Sequence, residues 1–476
     1  MSILFTNKKV DSYETDYILG KAFSLIILMA LYSCSNEVLL QSVSDYSISL
    51  TDEECFYMNA KSNNHVLSIS QAFDAIPNNE IGCTRSFEES GLQTEVLRKA
   101  HFGISENSSY DIMSDTLVYL VYDKNGYCNL VAADDRIEDK YLGCIKREIL
   151  FPTSNFSTEL DLSDYMKELC LNKMLADIQK YEERKDSMQK VISEKWIEFF
   201  RVNKIDKITR ANYDPKQGYS GLDYDIEIND VYLSDWENEE HVDPLLNVSW
   251  HQKSPYNEYV KEKNCPELKI SPAGCIPVAI GMLLSYWKYP QIIHNTIFDW
   301  NQIVQYPDLT TSKDQVALLM EYLGDDLDAT YSCGGTSVKR QKAGSWLLSN
   351  GYMGGQHINY NKNAVISSLH NAMPVIIIGL NTYGEGHAWV IDGYDKKKRK
   401  VHRYYIYTNK ITGESYTVDG GIMYEYSWLF SNNFGHGIKT NWLSAGYFYE
   451  YPYEPSDEYT YSKSLTILSS FRPINY

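Results

Sequence analysis

The sequence predicts an α+β protein in two folded parts, and three observations carry that expectation. Leu117-Val118-Tyr119-Leu120-Val121-Tyr122 and Asn129-Leu130-Val131-Ala132-Ala133 read as strands flanking Asp123-Lys124-Asn125-Gly126, whose Asn-Gly pair is a strong hairpin signal. Between Leu162 and about Arg201, apolar residues at Leu162, Tyr165, Met166, Leu169, Ile178 and Tyr181 make one apolar helical face. From about Pro244 onward, helical and strand patterns alternate, and Val375-Ile376-Ile377-Ile378 reads as a fully buried strand.

The elements follow in order from the N-terminus. Lys21 precedes the apolar run from Ala22 to Leu31, too short for the ~20 residues of a bilayer span but matched to a signal-peptide core. The run ends in Leu31-Tyr32-Ser33-Cys34 and then turns polar, the layout of a bacterial lipoprotein signal over residues 1–34 with Cys34 as the lipidated residue. An exported protein is expected, either secreted or held in the cell envelope, with membrane contact only through that lipid anchor. Asp11, Glu14 and Asp16 lie where a signal peptide should be positive, so the start codon is not fixed at Met1.

A first α+β part is expected over residues 48–205, with a short helix at 68–76, the hairpin and the long charged helix. Residues 206–240 are polar and read as a linker open to proteolytic nicking, with Arg210 inside it. The second part is expected over 241–473. Within it, Lys396-Lys397-Lys398-Arg399-Lys400 reads as an exposed turn between strands.

Composition narrows the chemistry. With 43% hydrophobic and 22% charged residues, the 476-residue chain can bury a large core. A formal net charge of −19 argues against nucleic-acid binding, which needs a basic surface. Once Cys34 and Cys275 are set aside, seven of the nine cysteines remain, an odd set without CxxC pairs. No metal site, no cofactor and no complete disulfide framework are expected, and most of these cysteines read as small buried apolar residues.

The segment most informative about chemistry runs from Ser271 to Pro290. Apolar residues at 276, 280, 283, 284 and 287 mark a buried helix, Pro277 fits only a first turn, and Pro290 stops the helix. Cys275, after Gly274, then sits at the helix N-terminus, where unpaired amides and the helix dipole favour a thiolate. A buried structural cysteine after a glycine turn fits that segment alone equally well. In a second segment, Gly386 and His387 follow a Gly-containing loop and open a strand, so the imidazole can face a cleft, take the Cys275 proton and return it to a leaving amine. In a third, Ser431-Asn432-Asn433-Phe434-Gly435-His436-Gly437 supplies amide side chains that can hold the imidazole, with an aromatic ring to shield that bond; an Asn/Gly turn between strands is the plain alternative.

Together these segments resemble the streptopain family of papain-like cysteine peptidases. The resemblance runs through Leu245-Leu246, Trp250-His251-Gln252-Lys253-Ser254-Pro255-Tyr256-Asn257, Gly274-Cys275, Tyr286, Lys288-Tyr289-Pro290, Pro374-Val375, Gly386 to Tyr394, Asn433-Phe434-Gly435 and Gly446-Tyr447-Phe448. It implies a papain-like domain, with a helical part and an antiparallel sheet or barrel part, over 241–473. It implies Cys275 as nucleophile, His387 as its base, Gln252 as a side-chain donor to the oxyanion and Asn433 as the group orienting His387. Asp123 to Gly143 is similar to the inhibitory prodomain of these enzymes, which implies an intramolecular inhibitor. The chain departs from the family at Phe434 and His436, where tryptophans are usual, and at Pro277 and Met282. Phe434 can stack but has no indole N–H.

The expected function is therefore an exported cysteine endopeptidase acting on protein or peptide substrates and made as a self-inhibited zymogen. Two alternatives stand beside it: a weak or inactive papain-like lipoprotein used for binding, and an acyl transferase or amidase using the same dyad.

Overall fold

The computed structural model describes residues 47–60, 65–77, 93–104, 110–122, 127–146, 162–203, 224–260, 270–333, 335–355, 357–380, 386–437, 441–447 and 463–476. The signal segment with Cys34, the turn 123–126 and residues 206–223 of the expected linker, Arg210 included, lie outside them.

Local chemistry sets the first elements. Helix α1 (Asp52–Asn59) begins with a reciprocal cap: Thr51 Oγ1 accepts from Glu54 N, and Glu54 accepts from Thr51 N. Ser68 and Gln71 repeat the device on helix α2 (Ile69–Asp74). Strands β1 (Thr94–Arg98), β2 (Thr116–Tyr122), β3 (Tyr127–Ala132) and β4 (Tyr141–Lys146) form an antiparallel meander. Helix α3 (Leu162–Val202) brings Leu169, Met174, Leu175 and Ile178 into a core shared with Leu117, Leu130 and Ile145 of the meander.

The main remaining elements, short two-stranded ribbons and 3-10 turns aside, are β5 (Tyr224–Tyr232), β6 (Glu237–Val242), α4 (Cys275–Trp287), α5 (Trp300–Gln305), α6 (Thr310–Asp326), α7 (Gln341–Ser349), β7 (His357–Asn359), α8 (Lys362–His370), β8 (Val375–Leu380), β9 (Gly386–Asn409), β10 (Ser415–Asn433), β11 (Asn441–Ser444) and β12 (Lys463–Leu468). The strands join in the order β1-β2-β3-β4-β11-β10-β9-β8-β12-β7, with β5 and β6 both paired to β9. This is the mixed helix and antiparallel-sheet architecture that the residue pattern predicts.

The chain divides into two compact units. The larger holds residues 50–192, 230–403 and 421–476, so most of both parts expected at 48–205 and 241–473 falls within one unit. The reason is a strand pairing: β4 lies against β11, with Cys144 opposite Trp442 and Gly143 opposite Leu443. Gly143 has φ +144, and a Cβ there would fall 2.3 Å from the Trp442 carbonyl oxygen, so only glycine lets these backbones meet. Beside it, the half-buried Asp139 carboxylate accepts from Ser444 Oγ. The smaller unit holds residues 1–49, 193–229 and 404–420. Its described part is an aromatic cluster in which Phe200 stacks on Tyr224 at 4.8 Å and meets Tyr407 edge-on at 5.1 Å.

Three expectations need correction. The basic run 396–400 is not a turn but the middle of β9, with Lys397 and Arg399 buried. Its charges are met across the sheet: Lys396 and Lys398 pair with Glu239 of β6, and Arg399 with Glu425 of β10. Secondly, the described half of the 206–240 linker is largely strand, namely β5 and most of β6; Glu239 and Glu240 of β6 are partners of that basic run, and Asp230 of β5 pairs with Arg403. Thirdly, Cys144 and Cys333 are disulfide-bonded rather than small apolar fillers, whereas Cys55, Cys128, Cys170 and Cys275 are thiols. Among the described residues no helix is long and apolar enough to cross a membrane.

Candidate active site

Helix α4 starts at Cys275, with Gly274 as N-cap at φ +100 and Val278 N donating back to Gly274 O at 3.2 Å. That backbone region is open to glycine, and a Cβ would also press on Thr336 Cγ2 at 3.1 Å. Nearly the whole helix is buried. At Gly281 it packs so closely that a Cβ would meet Met320 at 2.6 Å and Trp250 at 3.1 Å, which locks the nucleophile's helix between α6 and the 245–252 segment.

That segment is tied down at every second residue. Leu246 N donates to Asp392 Oδ2 at 3.2 Å, Val248 O accepts from Asn433 Nδ2 at 2.9 Å, and Trp250 O accepts from Gly437 N at 3.2 Å. Gln252 O then accepts from Ala273 N at 2.8 Å, two residues ahead of Cys275. These bonds anchor the Gln252 backbone beside Ala273, in the segment that leads into Cys275.

His387 arrives from the other side, on the second residue of β9, which pairs with Gly379 of β8. The backbone amide of the following residue, Ala388, faces the Cys275 sulfur, as do the amides of Ile276 and Cys275 itself. The backbone at the start of β9 thus lies against the Cys275 sulfur, one residue from His387. The imidazole is buried, and its Nε2 donates to the backbone carbonyl oxygen of Phe434 at 3.1 Å. Because a carbonyl can only accept, the neutral ring carries its proton on Nε2, leaving Nδ1 as the basic nitrogen. Trp389 stacks with His387 at 5.8 Å and 17°. Trp389 Nε1 in turn donates to Asn432 Oδ1 at 3.0 Å, and its ring meets the buried Phe434 ring at 5.7 Å.

Asn433 does not hold His387. Its Nδ2 donates to Val248 O, and its Oδ1 accepts from Gly435 N at 3.4 Å. The residue fixes the turn that presents Phe434 O, while the imidazole rests on main chain. Gly435, at φ +71, lets that turn close on α4, since a Cβ would lie 3.1 Å from Val278 Cγ1. Gly386 opens β9 opposite Leu380. Asn432 and Trp389 were missed as a pair by sequence reasoning, although the adjacent amides at 432 and 433 marked the segment.

Electrostatically the pair is held neutral. Burial pushes the Cys275 thiol up, against the pull of the three amides, and lowers His387 to about 4 despite its bond to Phe434. The thiolate expected from the helix N-terminus is outweighed by desolvation. Among the described residues, the one cluster with metal-ligand spacing is His65, Asp134 and Asp135, away from this site. Both oxygens of Asp134 accept from Arg136, which accounts for its charge without an ion.

The Peptidase C10 family model matches residues 250–409, the stretch that contains Gln252, Cys275 and His387. No curated protein matches the chain. Among solved structures, a fragment of prointerpain A from Prevotella intermedia is 17% identical, covering 80% of this chain and 98% of its own, at a TM-score of 0.43. Active wild-type interpain A from the same organism, described as a cysteine protease, is 19% identical, covering 48% of this chain and 97% of its own, at a TM-score of 0.33. The match to the Peptidase C10 family over residues 250–409 supports a cysteine-type peptidase.

Proposed function

We propose that this protein is an exported, papain-like cysteine endopeptidase made as a self-inhibited precursor, with Cys275 and His387 as its reacting pair. The observation that carries the reading is the meeting of a helix-start sulfur with the amide next to His387, while Phe434 O fixes the imidazole tautomer. Nδ1 of His387 takes the thiol proton, and the thiolate attacks the peptide carbonyl carbon. The resulting oxyanion is held by the Cys275 amide and the Gln252 side chain. The tetrahedral intermediate collapses to a thioester as His387 returns the proton to the leaving amine, and water then releases the acid and the thiol.

The precursor state rests on the β4–β11 pairing and on the neutral condition of the pair, with His387 buried and Cys275 half-buried. Export rests on the 1–34 segment, with Cys34 as the lipid attachment point. Hydrolysis of denatured protein by the processed enzyme tests the reading: Cys275→Ala should abolish it, and Gln252→Ala should lower kcat by roughly 100-fold. Unchanged cleavage by Cys275→Ala would end the proposal. Mass spectrometry of the mature N-terminus checks export and processing together, and an unlipidated Cys34 within an uncleaved chain would remove the lipoprotein part.

A further inference from the structure

The segment that leads into the nucleophile is held from two sides. Residues 271–274 are buried and belong to no helix or strand, and Ala273 N donates to Gln252 O on one side. On the other side stands Thr336. Its Oγ1 donates to Pro272 O at 2.6 Å, and its methyl lies over Gly274, where a Cβ would come within 3.1 Å of it. Thr336 belongs to a small antiparallel ribbon, Thr330–Ser332 paired with Gly335–Ser337, in which it stands opposite Tyr331. Tyr331 is buried, and its hydroxyl lies against α6 where a Cβ on Gly324 would collide with it. One strand of the ribbon is thus rooted in α6, and the other carries the contact with the cap of the nucleophile's helix.

Three residue pairs do not hold a ribbon by themselves, since an isolated two-stranded hairpin is marginal in water. Two devices close this one at its turn. Ser332 Oγ donates to Gly335 O at 2.5 Å, and Cys333, the turn residue, is disulfide-bonded. Cys333 is also exposed, whereas Cys144, the other disulfide-bonded cysteine among the described residues, is buried. Exposed disulfides are the ones that small thiols reach and open, while structural ones resist. A covalent bond open to solvent therefore sits one ribbon away from the cap of Cys275.

We propose that Cys333 is a thiol-exchange site through which a small thiol of the glutathione class lowers the reactivity of Cys275, and with it peptide cleavage. The link to cleavage rests on the peptidase reading and adds a control to it. A thiolate attacks the disulfide, one protein sulfur leaves as a thiolate, and a mixed disulfide forms; a second thiolate then displaces the other protein sulfur. Two electrons pass to the protein, the protons of the two small thiols end on the two cysteines, and the small thiol leaves as its own disulfide. With the turn no longer crosslinked, Thr336 loses its fixed place against Pro272 and Gly274, and the start of α4 loses one of its two supports. Thr336 is thus a positioning residue, acting through the backbone ahead of Cys275. Thiols act twice on such an enzyme: small amounts keep the nucleophile reduced, and larger amounts open Cys333.

The test titrates the processed enzyme with glutathione and follows cleavage of an internally quenched peptide, while peptide mass spectrometry reads the state of Cys333. Wild-type activity should rise and then fall about 10-fold as Cys333 becomes reduced, with the fall in kcat rather than KM because the displaced group is the reacting one. Cys333→Ser should start at the lower level and show no fall. Thr336→Val keeps the branched shape over Gly274 but loses the bond to Pro272 O. It should also be slow, and opening Cys333 should cost it less than it costs the wild type, since both changes remove the same support. A second readout needs no substrate: once glutathione is removed, iodoacetamide should label Cys275 at pH 6 more slowly when Cys333 is reduced. Full activity with Cys333 reduced, a fall that persists in Cys333→Ser, or a Cys333 that is already a thiol in enzyme prepared without reductant overturns the inference and leaves the peptidase reading standing. If no peptide is cut but Cys275 labelling still follows the state of Cys333, the peptidase reading falls and the exchange site stands. Neither cleavage nor a labelling response overturns both.

Discussion

His387 rests on a backbone atom: its Nε2 donates to the carbonyl oxygen of Phe434 at 3.1 Å, and no side-chain amide occupies that position. The base is therefore oriented by the path of the chain from Asn433 to Gly435. A side chain at 434 that keeps this path should keep the base in place, although the ring at 434 also packs against Trp389.

Asn433 and Phe434 are accordingly expected to behave differently on substitution. Asn433→Ala removes the bonds to Val248 O and Gly435 N that shape the turn, and kcat should fall roughly 10-fold with about 1–3 kcal/mol of lost stability. Phe434→Leu retains the carbonyl and should lower kcat less than Asn433→Ala does. Steady-state kinetics with urea unfolding of both variants checks the order; a larger kcat loss in Phe434→Leu would contradict it.

Trp389→Phe isolates a second support. The ring that stacks on His387 remains, but the indole donor to Asn432 Oδ1 is lost. One buried hydrogen bond is worth about 1 kcal/mol, so the unfolding midpoint should drop by that equivalent with a small change in KM. No shift in the midpoint would show that Asn432 does not anchor the indole.

The contact between β4 and β11 depends on Gly143. Gly143→Val places a Cβ against Trp442 O, which the paired backbones cannot accommodate. In the full-length precursor, limited proteolysis should then cut residues 48–205 faster, and iodoacetamide should label Cys275 faster, than in the wild type. Equal rates would separate this strand pairing from the silencing of the site.

Acid should destabilise the precursor through the buried His387 and the half-buried His436. His387 has a folded pKa of about 4, below the ~6.5 of an unfolded histidine, so between those values the unfolded chain binds more protons. Its effect is absent above about pH 7 and grows as pH falls from 6.5 toward 4, to roughly 3 kcal/mol of lost stability. His436 acts in the same direction, with a folded value of about 3. Urea unfolding of wild type and His387→Phe at pH 7.5 and 5 checks this: the variant should lose less stability across that interval.

Much of the site was legible because its residues obey local rules. Pro277 and Pro290 fixed the register that puts Cys275 first in α4, and the Asn-Gly pair marked the β2–β3 hairpin. What failed was long-range. Five consecutive basic residues look like a solvated turn unless one knows that Glu239 and Glu425 lie across the sheet. The linker assignment failed with it, since β6 is polar because it neutralises that run. Asn433 was misplaced because an amide can hold an imidazole or shape a turn, and only the position of Val248 O decides which.

The pH profile of Cys275 alkylation, measured on the precursor and on the processed enzyme, tests the central claim most directly. Burial pushes the thiol up in the precursor, so labelling there should be slow and should rise only above the ordinary thiol range near 8.5. After residues 1–240 are removed, labelling should be fast at pH 6, and His387→Ala should abolish that low-pH reactivity. A processed enzyme whose Cys275 labels with an ordinary thiol profile, unaltered by His387→Ala, would contradict the account.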